Sequence, residues 1–187
     1  MAHPNPDFIV SARTKPKGFE SMDAPVEIIQ SIESAFAGVP RGELTLHQAE
    51  VIDSDSNEEA QQKARSLDQE LSWDQVPDEA LEDCTAALCH LDPQSWKYYL
   101  PAYMIWALRN YQHSDSIMLD FTIYSLKLSD DDKVLSEYDM QRFRLLDEAQ
   151  SATVCKFLNF MAQQPEFVDE IIAMEAISLH WNKFYEI

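Results

Sequence analysis

Residues 96–108 read WKYYLPAYMIWAL, two tryptophans and three tyrosines gathered around one proline. Such a block serves a membrane, a ligand or the protein's own core. A bilayer span needs about 20 consecutive apolar residues. Here the apolar run 98–108 is bracketed by Lys97 and Arg109 and interrupted by Pro101, so it does not span. Tyr99, Tyr103, Trp106 and Leu108 instead describe a helix that is apolar nearly all round, the pattern of a helix enclosed by other helices. The spacing predicts that this core helix begins at Pro101, because a proline in the first turn loses no needed N–H. Asp92 and Pro93 predict a short separate turn ahead of it.

Working outward, helix punctuation recurs. Asp23 and Pro25 open a segment closed by Gly38, with Ile28, Ile29, Ile32 and Phe36 on one stripe. Thr45 with Gln48, and Asp147 with Gln150, have the spacing of capping boxes, in which cap and third residue satisfy each other's backbone N–H. A thin stripe of Ala60, Ala64, Leu67 and Leu71 predicts a helix over 58–71, and Pro77 opens another running to Leu91 with Leu81, Cys84, Thr85 and Leu88 on one face. Ile117, Phe121 and Tyr124 suggest one more, with a strand as the competing reading of that segment. Helices over 151–163 and 166–185 flank Pro165. No alternating strand, hairpin dipeptide or internal repeat stands out. The expected fold is all-α: a compact irregular bundle of seven to nine helices in a single domain, residues 23–187, behind a flexible N-terminal arm, residues 1–22.

Composition narrows the functional classes. Three glycines in 187 residues leave little for phosphate-cradling loops. Three cysteines, Cys84, Cys89 and Cys155, do not make a disulfide framework and point to a reducing cytoplasm. The first twenty residues lack the apolar stretch of a secretory signal. Net charge is −19, and between Glu50 and Asp83 twelve acids face only Lys63 and Arg65. A surface of that sign repels nucleic acid and anionic lipid and attracts basic partners.

Two candidate sites follow. The first is an acidic face for a basic protein surface: Asp68, Glu70, Asp74, Asp78, Glu79, Glu82 and Asp83. An adaptor, an assembly factor or an inhibitor of the immunity type fits it. The second, for a small-molecule binder or enzyme, is an aromatic pocket at the edge of the core block, with His90 and Asp92 at its mouth and Trp96, Tyr98, Tyr103 and Trp106 lining it. No sequence motif selects a catalytic group or a cofactor. Cys84 and the Cys89–His90 pair are badly placed as joint metal ligands, since five residues is about 140° apart around a helix, and no second pair answers them. A nucleophilic cysteine would need one of His47, His90, His113 or His180 brought to it by the fold.

The segments ELTLHQAEVID, WDQVPDEALEDCTAALCHLDPQSWKYYLPAYMIWAL and LLDEAQSATVCKFLNFM resemble an uncharacterised family of bacterial proteins known only as a domain of unknown function. The resemblance covers about residues 25–160 and leaves the arm and the C-terminal helix outside. It places the family's recurring elements at Asp53, at Tyr98–Met104, and at Gln150, Val154, Phe157 and Leu158. It implies a bacterial, soluble setting and no particular activity.

Overall fold

The computed structural model describes residues 24–52, 57–129 and 132–185; the expected arm, the Asp23 cap and Asp53 lie outside them. Ten α-helices occur among the described residues, in the order α1 (Ala24–Ala35), α2 (Leu46–Ile52), α3 (Glu58–Arg65), α4 (Asp78–Asp83), α5 (Ala87–His90), α6 (Pro93–Asn110), α7 (Met118–Tyr124), α8 (Lys133–Phe143), α9 (Glu148–Met161) and α10 (Glu170–Leu179). Single 3-10 turns sit at Trp73–Gln75 and Trp181–Phe184, and no strand is present among the described residues. One continuous hydrophobic core runs from Ile28 to Trp181. The fold is therefore all-α, and eight of the ten helices have seven residues or more. No helix among the described residues is long and apolar enough to cross a membrane.

Helix α6 is the axis. Every residue from Tyr98 to Leu108 is buried, as its nearly uniform apolar character requires, because α1, α7, α8 and the turn at Trp73–Gln75 pack around it. The helix corrects the sequence reading in one respect: it starts at Pro93 and passes straight through Pro101. The reason lies at its start. The Asp92 carboxylate accepts from the N–H of Gln94 and Ser95, both at 3.0 Å, and caps the helix a full two turns before Pro101. With that nucleus in place and both halves buried, packing outweighs the ~3 kcal/mol that an interior proline costs.

Three other expectations change on contact with tertiary structure. The helix expected over 58–71 ends at Arg65, leaving Leu67 and Leu71 exposed, because the carboxylates of Asp68 and Glu70 turn inward and pull the chain out of helical register. The helix expected from Pro77 to Leu91 is broken at Cys84, whose backbone sits at φ −117° and whose carbonyl is taken by the Tyr103 hydroxyl at 2.5 Å. In α7 the helix reading holds, yet Ile117 and Tyr124 are exposed and the buried face is Met118, Leu119, Thr122 and Ile123.

The capping signals fare better. Asp147 and Gln150 form the full box, Asp147 Oδ1 accepting from Gln150 N–H at 2.8 Å and Gln150 Oε1 from Asp147 N–H at 3.1 Å. Gly38 ends the first segment at φ +71°, a conformation open to glycine at little cost. At Thr45 only half of the box forms: Gln48 Oε1 accepts from the Thr45 N–H and also from its hydroxyl, both at 3.2 Å. Helix α8 had no signal in the sequence, since its Val134 and Leu135 face solvent and its buried residues are Arg142 and Phe143.

Candidate functional site

The acidic stretch divides in two. Asp68 and Glu70 lie in the loop after α3 and are buried by partners from elsewhere in the chain. Asp68 accepts from the His47 backbone N–H at 3.0 Å and meets the His47 ring Nδ1 at 2.6 Å, so it supplies from outside the cap that Thr45 does not give α2. Glu70 accepts from Arg41 at 3.1 Å and from the Tyr99 hydroxyl at 2.6 Å, and Arg41 also reaches the Asp68 carbonyl at 3.1 Å. Both acids of the expected face therefore fasten the loop at 66–72 to Arg41, α2 and α6.

The other five reach the surface. Asp74 lies in the 3-10 turn that Trp73 anchors by donating its ring N–H to the Phe36 carbonyl at 2.8 Å. Asp78, Glu79, Glu82 and Asp83 project from α4, where Leu81 is the buried residue and the first two acids stand in the first turn, favourably placed against the helix dipole. Glu82 is partly engaged, accepting from the Trp106 ring N–H at 3.2 Å. None of the five enters an ion pair among the described residues. Between Ser66 and Trp96 the chain carries no lysine or arginine, so no nearby sequence neutralises them. Leu71, 90% exposed, stands beside this charge in sequence.

The structure gives each residue of the expected aromatic pocket a structural position. His90 is half-buried at the end of α5, and Asp92 is the α6 cap. Burial works against the Asp92 charge, but hydrogen bonds from Ser95, Leu44 and Gln94 outweigh it and hold the carboxyl below its usual range. Gly42 makes that arrangement possible: a side chain there would come within 2.4 Å of Ser95 N and Oγ and 2.9 Å of Asp92 Oδ1. Trp96 packs against Phe143 with ring centres 5.8 Å apart, and Tyr98 stands edge-on to Tyr99 at 4.8 Å. Burial pushes the Tyr98 hydroxyl up to about 12 and the Tyr103 hydroxyl well above the ordinary value. The side chains of Trp96, Tyr98, Tyr103 and Trp106 are all within 2% of complete burial. Two surface clefts lie elsewhere: one of about 500 Å³ between the 112–120 segment and Glu166–Phe167, the other of about 290 Å³ beside His180.

Nucleophilic chemistry finds little support in the thiols. Burial, reinforced by Glu50, Asp68 and Asp83, pushes Cys84 up to about 12, and burial also raises Cys89 and Cys155. All three are free thiols held in their neutral, weakly nucleophilic form. Among the described residues no three His, Cys, Asp or Glu side chains cluster as metal ligands would.

Arg142 escaped the sequence reading, whereas His180 was named there among the histidines and is found packed among aromatic rings. Arg142, buried on α8, donates to the carbonyls of Cys89 at 3.0 Å and Leu91 at 2.8 Å, and lies 4.4 Å from the centre of the Tyr138 ring, whose hydroxyl also reaches Leu91. It closes the C-terminus of the four-residue α5, and a lone arginine in an unpatterned helix gives no warning of that. His180 is enclosed by Phe143, Trp181 and Phe184, with ring centres at 5.0, 4.7 and 6.1 Å. The run HW..F hints at packing, but its partner Phe143 is remote in sequence.

Comparison with known proteins gives one match: residues 24–185 fit the model of DUF6714, a family of unknown function, and the chain belongs to that family. The match extends through α10 and the turn at Trp181–Phe184, beyond the 25–160 range that the sequence resemblance covers. No curated protein and no solved structure matches.

Proposed function

We propose that this member of DUF6714 acts by binding a basic protein surface through the outward acids of the 3-10 turn and α4. The observation that carries the reading is the set Asp74, Asp78, Glu79, Glu82 and Asp83, all exposed within one short stretch and without an ion-pair partner among the described residues. Such charge is favourable only in high dielectric or against an opposite charge, and it speeds encounter with a basic partner while rejecting acidic ones. A rigid base supports it, because Trp73, Leu81 and the inward pair Asp68 and Glu70 fix the backbone on both sides. Leu71 supplies an apolar contact beside the charge. Three free cysteines suit a reducing compartment, so the setting we assign is the bacterial cytoplasm, and the role that of an adaptor, assembly factor or inhibitor.

The test is capture from the cognate lysate by the wild-type chain and by the chain with Asp74, Asp78, Glu79 and Asp83 changed to lysine, at low and moderate salt. A basic protein retained by the wild type, released by salt and lost in the charge-reversed variant supports the reading. Retention that ignores the reversal at low salt, where charge effects are strongest, defeats it.

A further inference from the structure

The cleft of about 290 Å³ beside His180 differs in kind from the acidic face. It lies between α8, the start of α9 and the C-terminal 3-10 turn, and its floor is apolar: Met140, Phe143, Leu146 and Phe184. Besides the charged Arg144, Asp147, Glu148 and Lys183, two neutral hydrogen-bonding side chains line it, Ser151 and His180. Ser151 is 2% exposed and His180 9% exposed, and neither the hydroxyl nor the imidazole has a hydrogen-bond partner among the described residues. Among the described residues, the side-chain N and O atoms that are both buried and unpaired are Trp96 Nε1, Tyr98 OH and Arg142 Nε, so the polar atoms of Ser151 and His180 are not sealed in the core. Two polar side chains without a protein partner on one mostly apolar cleft are available to a ligand placed there.

We propose that this cleft binds a small uncharged aromatic molecule, its ring against Phe143 and Phe184 and one polar group meeting Ser151 and His180. The ring follows from the surroundings, since His180 already stands in a cluster with Phe143, Trp181 and Phe184, at centre distances that suit offset and edge contacts. The absence of charge follows from the rim. Arg144 and Lys183 are offset there by Asp147 and Glu148, while Arg144 is held by Glu137 at 3.0 Å and the Lys183 ammonium lies 5.0 Å from the centre of the Phe184 ring. No surplus of either sign remains to select an ionised ligand. Burial, with Lys183 adding to it, pulls the His180 imidazole down to about 4, so near neutrality it offers one donor and one acceptor. The volume, about 290 Å³, falls just below the about 300–1,000 Å³ typical of ligand sites, which limits the occupant to one or two rings. This proposal is independent of the acidic face, which lies on other elements.

The experiment is a backbone-amide NMR titration of the full chain with phenol, indole and benzamide, and with toluene, benzoate and benzylamine as controls. Saturable shifts centred on residues 140–151 and 180–184 are expected with the first three, and about tenfold weaker binding with toluene. Ser151→Ala, a change that a helix accepts readily, should weaken phenol several-fold and leave toluene unchanged. Its own amide spectrum shows that the variant is folded. The absence of saturable shifts from all six compounds, shifts centred elsewhere, or equal binding of phenol and toluene overturns the site. Benzoate or benzylamine binding more tightly than benzamide overturns the assignment of an uncharged ligand.

Discussion

Asp68 and Asp78 are ten residues apart in one acidic stretch, carry the same side chain and do opposite things. Asp68 is buried and committed to the backbone and ring of His47, whereas Asp78 is exposed at the first turn of α4 with no ion-pair partner among the described residues. Glu70 and Glu79 repeat the contrast, the first bound to Arg41 and Tyr99, the second exposed. The difference is made entirely by residues far away: His47 precedes Asp68 by 21 positions, and Tyr99 follows Glu70 by 29. A carboxylate's neighbours in sequence set the field it lives in, but its partners across the fold decide whether that charge holds the structure or faces outward.

The widest gap the comparison allows is between core and face. Trp106→Ala removes a side chain that is 2% exposed and should cost about 3–5 kcal/mol, read as a fall in the urea midpoint without change of slope. A cost under about 1 kcal/mol would mean that α6 is not the axis of the core. Within the acids, Asp68→Ala strips two hydrogen bonds to a charged group and uncaps α2, and should cost about 2–3 kcal/mol. If that variant unfolds with wild-type free energy, Asp68 belongs with the outward set and the division proposed between the two halves is lost.

These effects also show what the sequence can and cannot carry. The all-α class, the buried block at 98–108 and the Asp147–Gln150 cap were legible because each rests on local spacing. The continuity of α6 through Pro101, the break at Cys84 and the inward turn of Asp68 and Glu70 were not. Each depends on a hydrogen bond or burial formed between segments far apart in the chain, such as Tyr103 with Cys84 or Tyr99 with Glu70. The same holds for the two candidate sites. Five of the seven acids of the expected face are exposed, as a dense run of charge favours, while the cleft at His180 is assembled from α8, α9 and the last turn and has no local signature.

Acid titration separates the cleft from the carboxylates. His180 has a folded pKa near 4 against an ordinary value of 6.5, so between those values the unfolded chain takes up a proton that the folded chain refuses. Stability should therefore fall as pH drops from about 6.5 toward 4, by about 2 kcal/mol. Asp92, held below its usual range, contributes stability that is lost only at lower pH, as its own folded pKa is crossed. Urea unfolding at pH 7 and pH 4.5 reads the difference. In His180→Phe the slope across that window should flatten; an unchanged slope would assign it to groups other than the cleft histidine.

The smallest effect is the most pointed. Asp78→Ala and Glu79→Ala remove exposed first-turn acids, whose interaction with the α4 dipole is worth about 0.3–1 kcal/mol each. Part of that is returned by easing repulsion in a chain of net charge −19, so each should change stability by less than about 1 kcal/mol. Set beside Asp68→Ala, this is a test of the division itself, with residue type and local charge held nearly constant. Equal losses at positions 68 and 78 would mean that α4 also relies on its acids for folding, and a binding defect in the lysine variants would then report damage to the scaffold. Unequal losses leave the outward carboxylates free of a structural duty, which is the condition under which their charge is best explained by a partner.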